Sequence, residues 1–327
     1  MRNNPPPRRT APPPAATRAI RKRPTKRRRR SSRGKKFFLV MLFILAFALI
    51  YNFGGEQIFG VRTGDVVLEL NEIMVSFIDV GQGDSILIRS ANHAVLIDGG
   101  EAPRRNSTRR NALRDYLREA GIRRLDYVVA THPDSDHIGG LIDVLGRLDI
   151  GRVIMPDITH NTETFANFLA AIDNNNIPVT FPNPGDSIRI GIIEFTVIAP
   201  PNPHPGPANS NNNASIVLRL EHGQTSFLFT GDAERELEQW IVNSGANIES
   251  SVLKVGHHGS RTSSTEAFLD AVNPTAAVIS LAANNSHGHP HREVIDRLTD
   301  RGINIYRTDQ LGTIRMITNG QQIYFHR

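Results

Sequence analysis

Residues 131–140 read Thr-His-Pro-Asp-Ser-Asp-His-Ile-Gly-Gly and follow directly on the strand-like run Leu125-Asp126-Tyr127-Val128-Val129-Ala130. His132, Asp134, Asp136 and His137 thus fall within six residues at a strand end. A helix N-cap needs one side-chain acceptor, which Asp136 alone would supply. Four potential ligands are more than capping requires. Three further strand ends repeat the pattern: Val95-Leu96-Ile97-Asp98-Gly99-Gly100, Phe227-Leu228-Phe229-Thr230-Gly231-Asp232 and Leu253-Lys254-Val255-Gly256-His257-His258-Gly259-Ser260. Each is an apolar strand that ends in Asp or His beside Gly. Loops at strand ends are where sheets present ligands, and Gly lets backbone approach closely. Together the four loops predict a metal centre.

The surrounding pattern is strand-rich. Strands are expected at 73–80, 85–90, 94–98 and 125–130, with the turn Gly81-Gln82-Gly83-Asp84 between the first two. Leu113, Tyr116, Leu117 and Ala120 share one face of a helix over 107–121. Helices are expected at 137–148 and 162–175, then strands at 177–181 and 187–199. A second half follows in the same style. It has a hairpin of strands 215–221 and 225–230, helix 233–244, strand 251–255, helix 264–272, strand 276–281, helix 291–301 and two or three closing strands. Two strand-rich halves, each with helices, predict an α/β protein with two packed sheets and helices outside.

Charge divides the 327 residues sharply. Of 38 Lys and Arg, 15 lie in residues 1–36, which hold no acid; the remainder sets 23 basic residues against all 32 Asp and Glu. The Pro- and Arg-rich tail cannot bury a core and is expected to be disordered. Every residue from Phe37 to Tyr51 is apolar, and Phe53 extends the run. At about 1.5 Å per residue, 37–53 reaches about 25 Å, the short end of what a bilayer core of about 30 Å takes. A cleaved signal peptide would have a shorter apolar region and a shorter basic one. The expected organisation is therefore a cytoplasmic tail at 1–36, a membrane anchor at 37–53, a linker at 54–71 and the α/β domain with the metal centre at 72–327. The basic flank places the tail inside and the body outside. The tail suits anionic inner-leaflet lipid or nucleic acid equally. Cysteine is absent, which excludes disulfides and thiolate ligands.

His132-Pro133-Asp134-Ser135-Asp136-His137 resembles the H-x-D-x-D-H variant of the metallo-β-lactamase superfamily signature. Phe77-Ile-Asp-Val-Gly-Gln-Gly-Asp84, Leu96–Gly100, Thr230–Asp232, Val255–Ser260 and His287-Gly-His-Pro-His291 together resemble the hydrolase domain of ComEC competence proteins over about residues 72–325. That family carries the domain on a many-helix DNA channel, whereas this sequence has one apolar span. The resemblance therefore implies fold and chemistry, not DNA transport. The implied fold is a four-layer αββα sandwich with a binuclear metal centre at one edge. It implies His132, Asp134 and Asp232 at one site and Asp136, His137, Asp232 and His258 at the other, with Asp232 bridging. Asp98 would orient the ligating histidines. Two departures matter. Asp134 stands where most members have a second His. No His lies near 209–215, where another ligand is usual, and Asn213 or Ser215 is the nearest candidate. An oxygen-rich set moves preference from Zn²⁺ toward Mn²⁺, so two divalent ions, Zn²⁺ or Mn²⁺, are expected.

The implied chemistry is hydrolysis by a metal-activated water. Asp136, His257, His289 and His291 are the candidate catalytic groups, the histidines as donors to a phosphate or leaving group. Alternatively His257 props a ligand, and His289 with His291 forms a helix-start loop. Residues 104–124 hold eight arginines and only Asp115 and Glu119 as acids. They join the Asp98 loop to the His132 loop. Arg104, Arg105, Arg109, Arg110 and Arg114 read either as a phosphate-tracking edge or as a solvated face. The expected substrate is DNA or another phosphodiester. The alternative is an envelope phosphoester such as phosphocholine or a teichoic-acid-like polymer. The sequence leaves oligomeric state open.

Overall fold

The structure is a computed structural model that describes residues 59–62, 66–102, 109, 111–207 and 210–326. The basic tail and the apolar run 37–53 lie outside the described residues. None of the described helices is long and apolar enough to cross a membrane.

Strands are numbered in chain order. The first nine are β1 (Phe59–Arg62), β2 (Ile73–Phe77), β3 (Ile86–Arg89), β4 (Ala94–Ile97), β5 (Arg124–Leu125), β6 (Tyr127–Val129), β7 (Asp149–Ile150), β8 (Val153–Ile154) and β9 (Val179–Thr180). The rest are β10 (Ser187–Ile190), β11 (Ile193–Ala199), β12 (Val217–His222), β13 (Thr225–Phe229), β14 (Val252–Lys254), β15 (Ala276–Ile279), β16 (Asn304–Arg307), β17 (Ile314–Thr318) and β18 (Ile323–His326). A nine-stranded sheet runs β1-β18-β17-β2-β3-β4-β6-β8-β9, and a seven-stranded sheet runs β10 to β16 in chain order. The helices are α1 (Ala112–Glu119), α2 (Ser135–Ile138), α3 (Leu141–Leu145), α4 (Glu163–Asn174), α5 (Arg235–Ser244), α6 (Glu266–Val272), α7 (Arg292–Asp300) and α8 (Thr308–Leu311).

Alternation of side chains across each strand builds the layers. Ile73, Val75 and Phe77 of β2 turn inward and meet Phe195, Leu218 and Phe229 of the other sheet in one buried cluster. Phe229 sits at its centre, with ring centroids 6.3 Å from Phe77, 6.4 Å from Phe195 and 6.3 Å from Phe227. On the outer face of the first sheet, Leu87, Leu96 and Val128 pack against Leu117, Leu141, Val144 and Phe168 of the helices. On the outer face of the second, Leu228, Leu253 and Ala277 pack against Leu237, Ile241, Leu269 and Leu298. The order helix, sheet, sheet, helix follows from these three apolar interfaces. Each buried Leu, Ile or Phe contributes about 1.5–3 kcal/mol.

The structure corrects several expected boundaries. Residues 59–62, read as linker, form β1 and pair in parallel with β18. The expected strand 187–199 is a hairpin that turns at Gly191. The helix expected at 137–148 starts earlier and breaks at Gly139-Gly140, giving α2 and α3. The break is steric. A Cβ on Gly140 would lie 2.0 Å from the carbonyl oxygen of Gly99, so the Asp98 loop and the end of α2 pack backbone to backbone. The helix expected at 107–121 is described over Ala112–Glu119 only. The short β7, β8 and α8 carry too few residues to show a period, and none was expected from the sequence.

Candidate metal centre

Strands β4, β6 and β8 run parallel in one sheet, as do β13, β14 and β15 in the other. The loops at their carboxyl ends converge. Asp98 follows β4, Thr131 to His137 follow β6, Asp232 follows β13, and His257 with His258 follows β14. The expected strand-end loops thus meet at one place.

Asp98 is fully buried and organises the first half. Its Oδ1 accepts the Thr131 backbone N–H at 2.8 Å. Its Oδ2 accepts the Thr131 hydroxyl at 2.7 Å and His137 Nδ1–H at 2.8 Å. The Thr131 hydroxyl in turn lies 3.0 Å from His132 Nδ1 and accepts its proton. Both rings therefore direct Nε2 away from Asp98. In the second half, His258 donates Nδ1–H to the Ser280 carbonyl at 2.9 Å. Ser215 Oγ accepts the Asp232 backbone N–H at 3.0 Å.

The donors face one another at close range. His137 Nε2 and His258 Nε2 stand 3.3 Å apart. Asp232 Oδ2 lies 3.3 Å from the first and 3.4 Å from the second, and Asp136 Oδ2 lies 3.4 Å from His258 Nε2. His132 Nε2 is buried with no hydrogen-bond partner, as is Asp232 Oδ1. An orphaned buried nitrogen and an orphaned buried carboxylate oxygen cost about 1–3 kcal/mol each unless something positive sits between them. Two donor groups, His132/His137/Asp232 and Asp136/His137/His258, each lie within 4.8 Å. The mixed imidazole and carboxylate set fits divalent zinc or manganese.

The electrostatics agree. Burial pushes His132 down to about 4, and neighbouring His137 adds to the effect. Burial also opposes charge on His137 and His258, but Asp232 with Asp98, and Asp232 with Asp136, hold the two rings well above the ordinary value. Asp136 and Asp232 stay below the usual carboxylate range despite burial, because His258 and His137 sit against them. Without an ion the cluster keeps protons, and a cation substitutes for them.

Asp134 Oδ2 lies 3.8 Å from His132 Nε2, at the open side of the first group. Its Oδ1 accepts Asn211 Nδ2–H at 2.9 Å, and burial raises its pKa. Asn213 is turned elsewhere. Its amide donates to Glu236 at 3.2 Å and its oxygen accepts the Glu234 N–H at 3.0 Å, so it braces the loop that follows Asp232. Ser215 does touch the centre, through Asp232 and at 3.4 Å from His132 Nδ1.

His257 and His258 occupy consecutive left-handed conformations, at φ 47° and 52°. Such non-glycine backbone costs about 1–3 kcal/mol per residue and marks functional positions. Here it turns two successive imidazoles toward the centre. His257 Nδ1 lies 3.2 Å from Glu234 Oε1, and its Nε2 lies 3.8 Å from Asp232 Oδ2. His289 lies near by, its centroid 5.5 Å from His257 and 6.4 Å from His258. Burial and the surrounding histidines push it down to about 4, so it is neutral at pH 7. His291 accepts the Arg261 N–H on Nδ1 at 3.1 Å and begins α7, the helix-start role. Arg109 pairs with Asp79 in the loop after β2. Arg114 is exposed, and Arg104, Arg105 and Arg110 lie outside the described residues.

Sequence reading missed Asp84 and Lys254. Lys254 is 1% exposed. It pairs with Asp84 Oδ2 at 2.6 Å and donates to the Val255 carbonyl at 2.8 Å. Asp84 Oδ1 stands 3.4 Å from His258 Nδ1. The signals were a lone cation in an apolar strand and a carboxylate closing Gly-Gln-Gly-Asp. Gly83 is required there: a Cβ would lie 2.0 Å from the Asp136 carbonyl oxygen, at φ +113°. Glu234, two residues past Asp232, was also missed.

The sequence pattern of the Metallo-beta-lactamase superfamily matches residues 78–283, and the chain belongs to that superfamily. The chain is accordingly a metal-dependent hydrolase of that superfamily's fold. The chain is 36% identical over 254 residues to ComE operon protein 3 of Bacillus subtilis (strain 168), across 74% of this chain and 32% of that protein. It is 33% identical over 248 residues to competence protein ComA of Neisseria gonorrhoeae, across 75% of this chain and 32% of that one. The chain thus spans about a third of the length of these relatives. Among solved structures, the diiron beta-hydroxylase CmlA from Streptomyces venezuelae shares the fold, with a TM-score of 0.51 at 13% identity over 78% of this chain and 55% of that one.

Proposed function

We propose that the chain is a metal-dependent phosphodiesterase acting on polynucleotides, held at a membrane by residues 37–53 with the hydrolase domain on the extracytoplasmic side. The observation that carries the chemistry is the shared Asp232 carboxylate, within 3.4 Å of both His137 and His258 Nε2 and 4.0 Å of His132 Nε2. His132, Asp134 and Asp232 would hold one divalent ion, and Asp136, His137, Asp232 and His258 the other. When bound, such a pair supplies a water of lowered pKa and stabilises charge on attacking and leaving oxygens. Asp98 and Thr131 hold the histidine tautomers. The backbone turn at 257–258 brings His257 beside the shared carboxylate. Glu234 fixes one nitrogen of His257, leaving the other to carry a proton to the leaving oxygen. The competence names of the relatives support DNA as the polymer.

Metal-screened hydrolysis by the full chain of single-stranded DNA, duplex DNA and a chromogenic diester tests this reading. Cleavage of DNA with Mn²⁺ or Zn²⁺, lost on chelation, is the expected result. Turnover of the chromogenic diester alone would move the substrate to small envelope phosphoesters. Protease added to intact cells should remove the body and spare the tail; a protected body reverses the topology.

A further inference from the structure

A cavity of about 470 Å³ opens between α1 and α3. Its size falls in the range of small-molecule and nucleotide pockets, about 300–1,000 Å³. The floor is apolar: Leu117 and Val144 are buried, and Ile122 and Leu148 are half-buried. The rim is cationic, with Arg114, Arg118, Arg123 and Arg147 against one lining carboxylate, Asp143. Asp143 holds Arg147 at 2.6 Å, while Asp115 lies 3.2 Å from Arg118. This concentration stands out because the chain beyond residue 36 is acidic, with 23 basic residues against 32 acids. A smaller cavity of about 30 Å³ adjoins it, sharing Arg114, Asp143 and Val144, and reaches Gly99 and Gly140. Gly99 directly follows Asp98, and Gly140 ends the turn that carries His137. The two cavities therefore share a wall, and the smaller one, which Glu101 also lines, borders the loops that carry Asp98 and His137.

We propose that this cavity is an exosite for one nucleotide of a single-stranded polynucleotide whose scissile diester lies at the metal centre. The proposal rests on the phosphodiesterase reading. The base would lie on the apolar floor, and its flanking phosphate would meet the arginine rim. Guanidinium planes suit both tasks, because they bind phosphate bidentately and stack on bases. A duplex keeps its bases stacked and would leave the floor empty. Arg147 lies outside the arginine-rich segment 104–124, so the site is assembled by the fold and not by the charge run.

The test uses the full chain with non-hydrolysable phosphorothioate oligonucleotides of about 12 nucleotides, the span of single-strand sites. Binding is read by fluorescence anisotropy across a salt series. Arg118→Ala, Arg123→Ala and Arg147→Ala combined should weaken single-strand binding at least about tenfold. Each phosphate that the variant no longer neutralises should flatten the log–log salt slope by about 0.7. Asp143→Asn, which removes the one lining carboxylate, should tighten binding, a gain that misfolding would not produce. Unchanged affinity and slope in the triple variant would overturn the exosite. So would a loss confined to duplex DNA, or a loss confined to anionic phospholipid vesicles, which would make the cavity a lipid site. Cleavage is scored separately on wild type. If wild type cleaves DNA while the triple variant binds normally, the exosite falls and the phosphodiesterase reading stands. If wild type cleaves no polynucleotide, the phosphodiesterase reading falls and the exosite falls with it, and loss of single-strand binding in the triple variant then marks a binding cavity with no scissile role.

Discussion

The two halves of the metal centre are held in different ways. In the nine-stranded sheet, His132 and His137 both depend on Asp98, one directly at 2.8 Å and one through the Thr131 hydroxyl. In the seven-stranded sheet the supports are dispersed: a backbone carbonyl for His258, a serine hydroxyl for Asp232 and Glu234 for His257. A site that hangs on one carboxylate is rigid and sensitive to a single substitution. A site braced by backbone groups tolerates side-chain loss but depends on strained turns to aim its ligands. The second half accordingly holds the consecutive left-handed histidines, at φ 47° and 52°.

The largest expected effect falls in the dispersed half. His257→Gln removes the group placed to protonate a leaving oxygen and should lower turnover about 10²–10⁴-fold, the usual worth of general acid catalysis. The loss should appear with DNA and shrink with a nitrophenyl diester, whose leaving group needs no proton. Equal losses on both substrates would make His257 a structural brace. Next is the strut beneath both halves. Lys254→Met strands the buried Asp84 carboxylate and should cost about 3–5 kcal/mol in urea unfolding. Lys254→Met with Asp84→Leu should recover most of that, because the double change leaves no lone charge.

Asp98→Asn tests the concentrated half. The amide has one acceptor oxygen, so its NH2 must face either the Thr131 backbone N–H or the Thr131 hydroxyl and His137 Nδ1, and the charge is lost. Metal affinity should fall about 10–100-fold, as for other groups that orient metal ligands. Competition with a chromophoric chelator should show both ions weakened, and weakening of one alone would break the comparison. Thr131→Val is the smallest change. It cuts only the relay to His132, worth about 1 kcal/mol, and should weaken one ion by less than about tenfold.

The sequence shows the ligands and hides their supports, for a physical reason. Charged residues at the ends of apolar strands break a strong pattern, so His132, Asp136, Asp232 and His258 stand out. Asp84 and Lys254 meet only through the packing of two sheets, and no local period records that. Asn213 misled because proximity along the chain does not set side-chain direction; the short turn at Asn212–Ala214 aims its amide at Glu236. Gly139-Gly140 was readable as a helix continuing from 137, yet the close approach of the Gly99 backbone divides it. Strand β1 was hidden because an edge strand beside polar residues carries little alternation. The arginine-rich segment was legible as charge, but the pairing of Arg109 with Asp79 was not.

Metal content of the full chain, purified and dialysed against Mn²⁺ or Zn²⁺, tests the central claim most directly. Elemental analysis should find about two divalent ions per chain in the wild type, the stoichiometry of two-metal hydrolases. Asp232→Asn, which removes the charge shared by both donor groups, should retain fewer than one and lose diester turnover by more than the about 100-fold ceiling of supporting residues, while its circular dichroism stays that of the wild type. Two ions retained by Asp232→Asn, with turnover intact, would contradict the account.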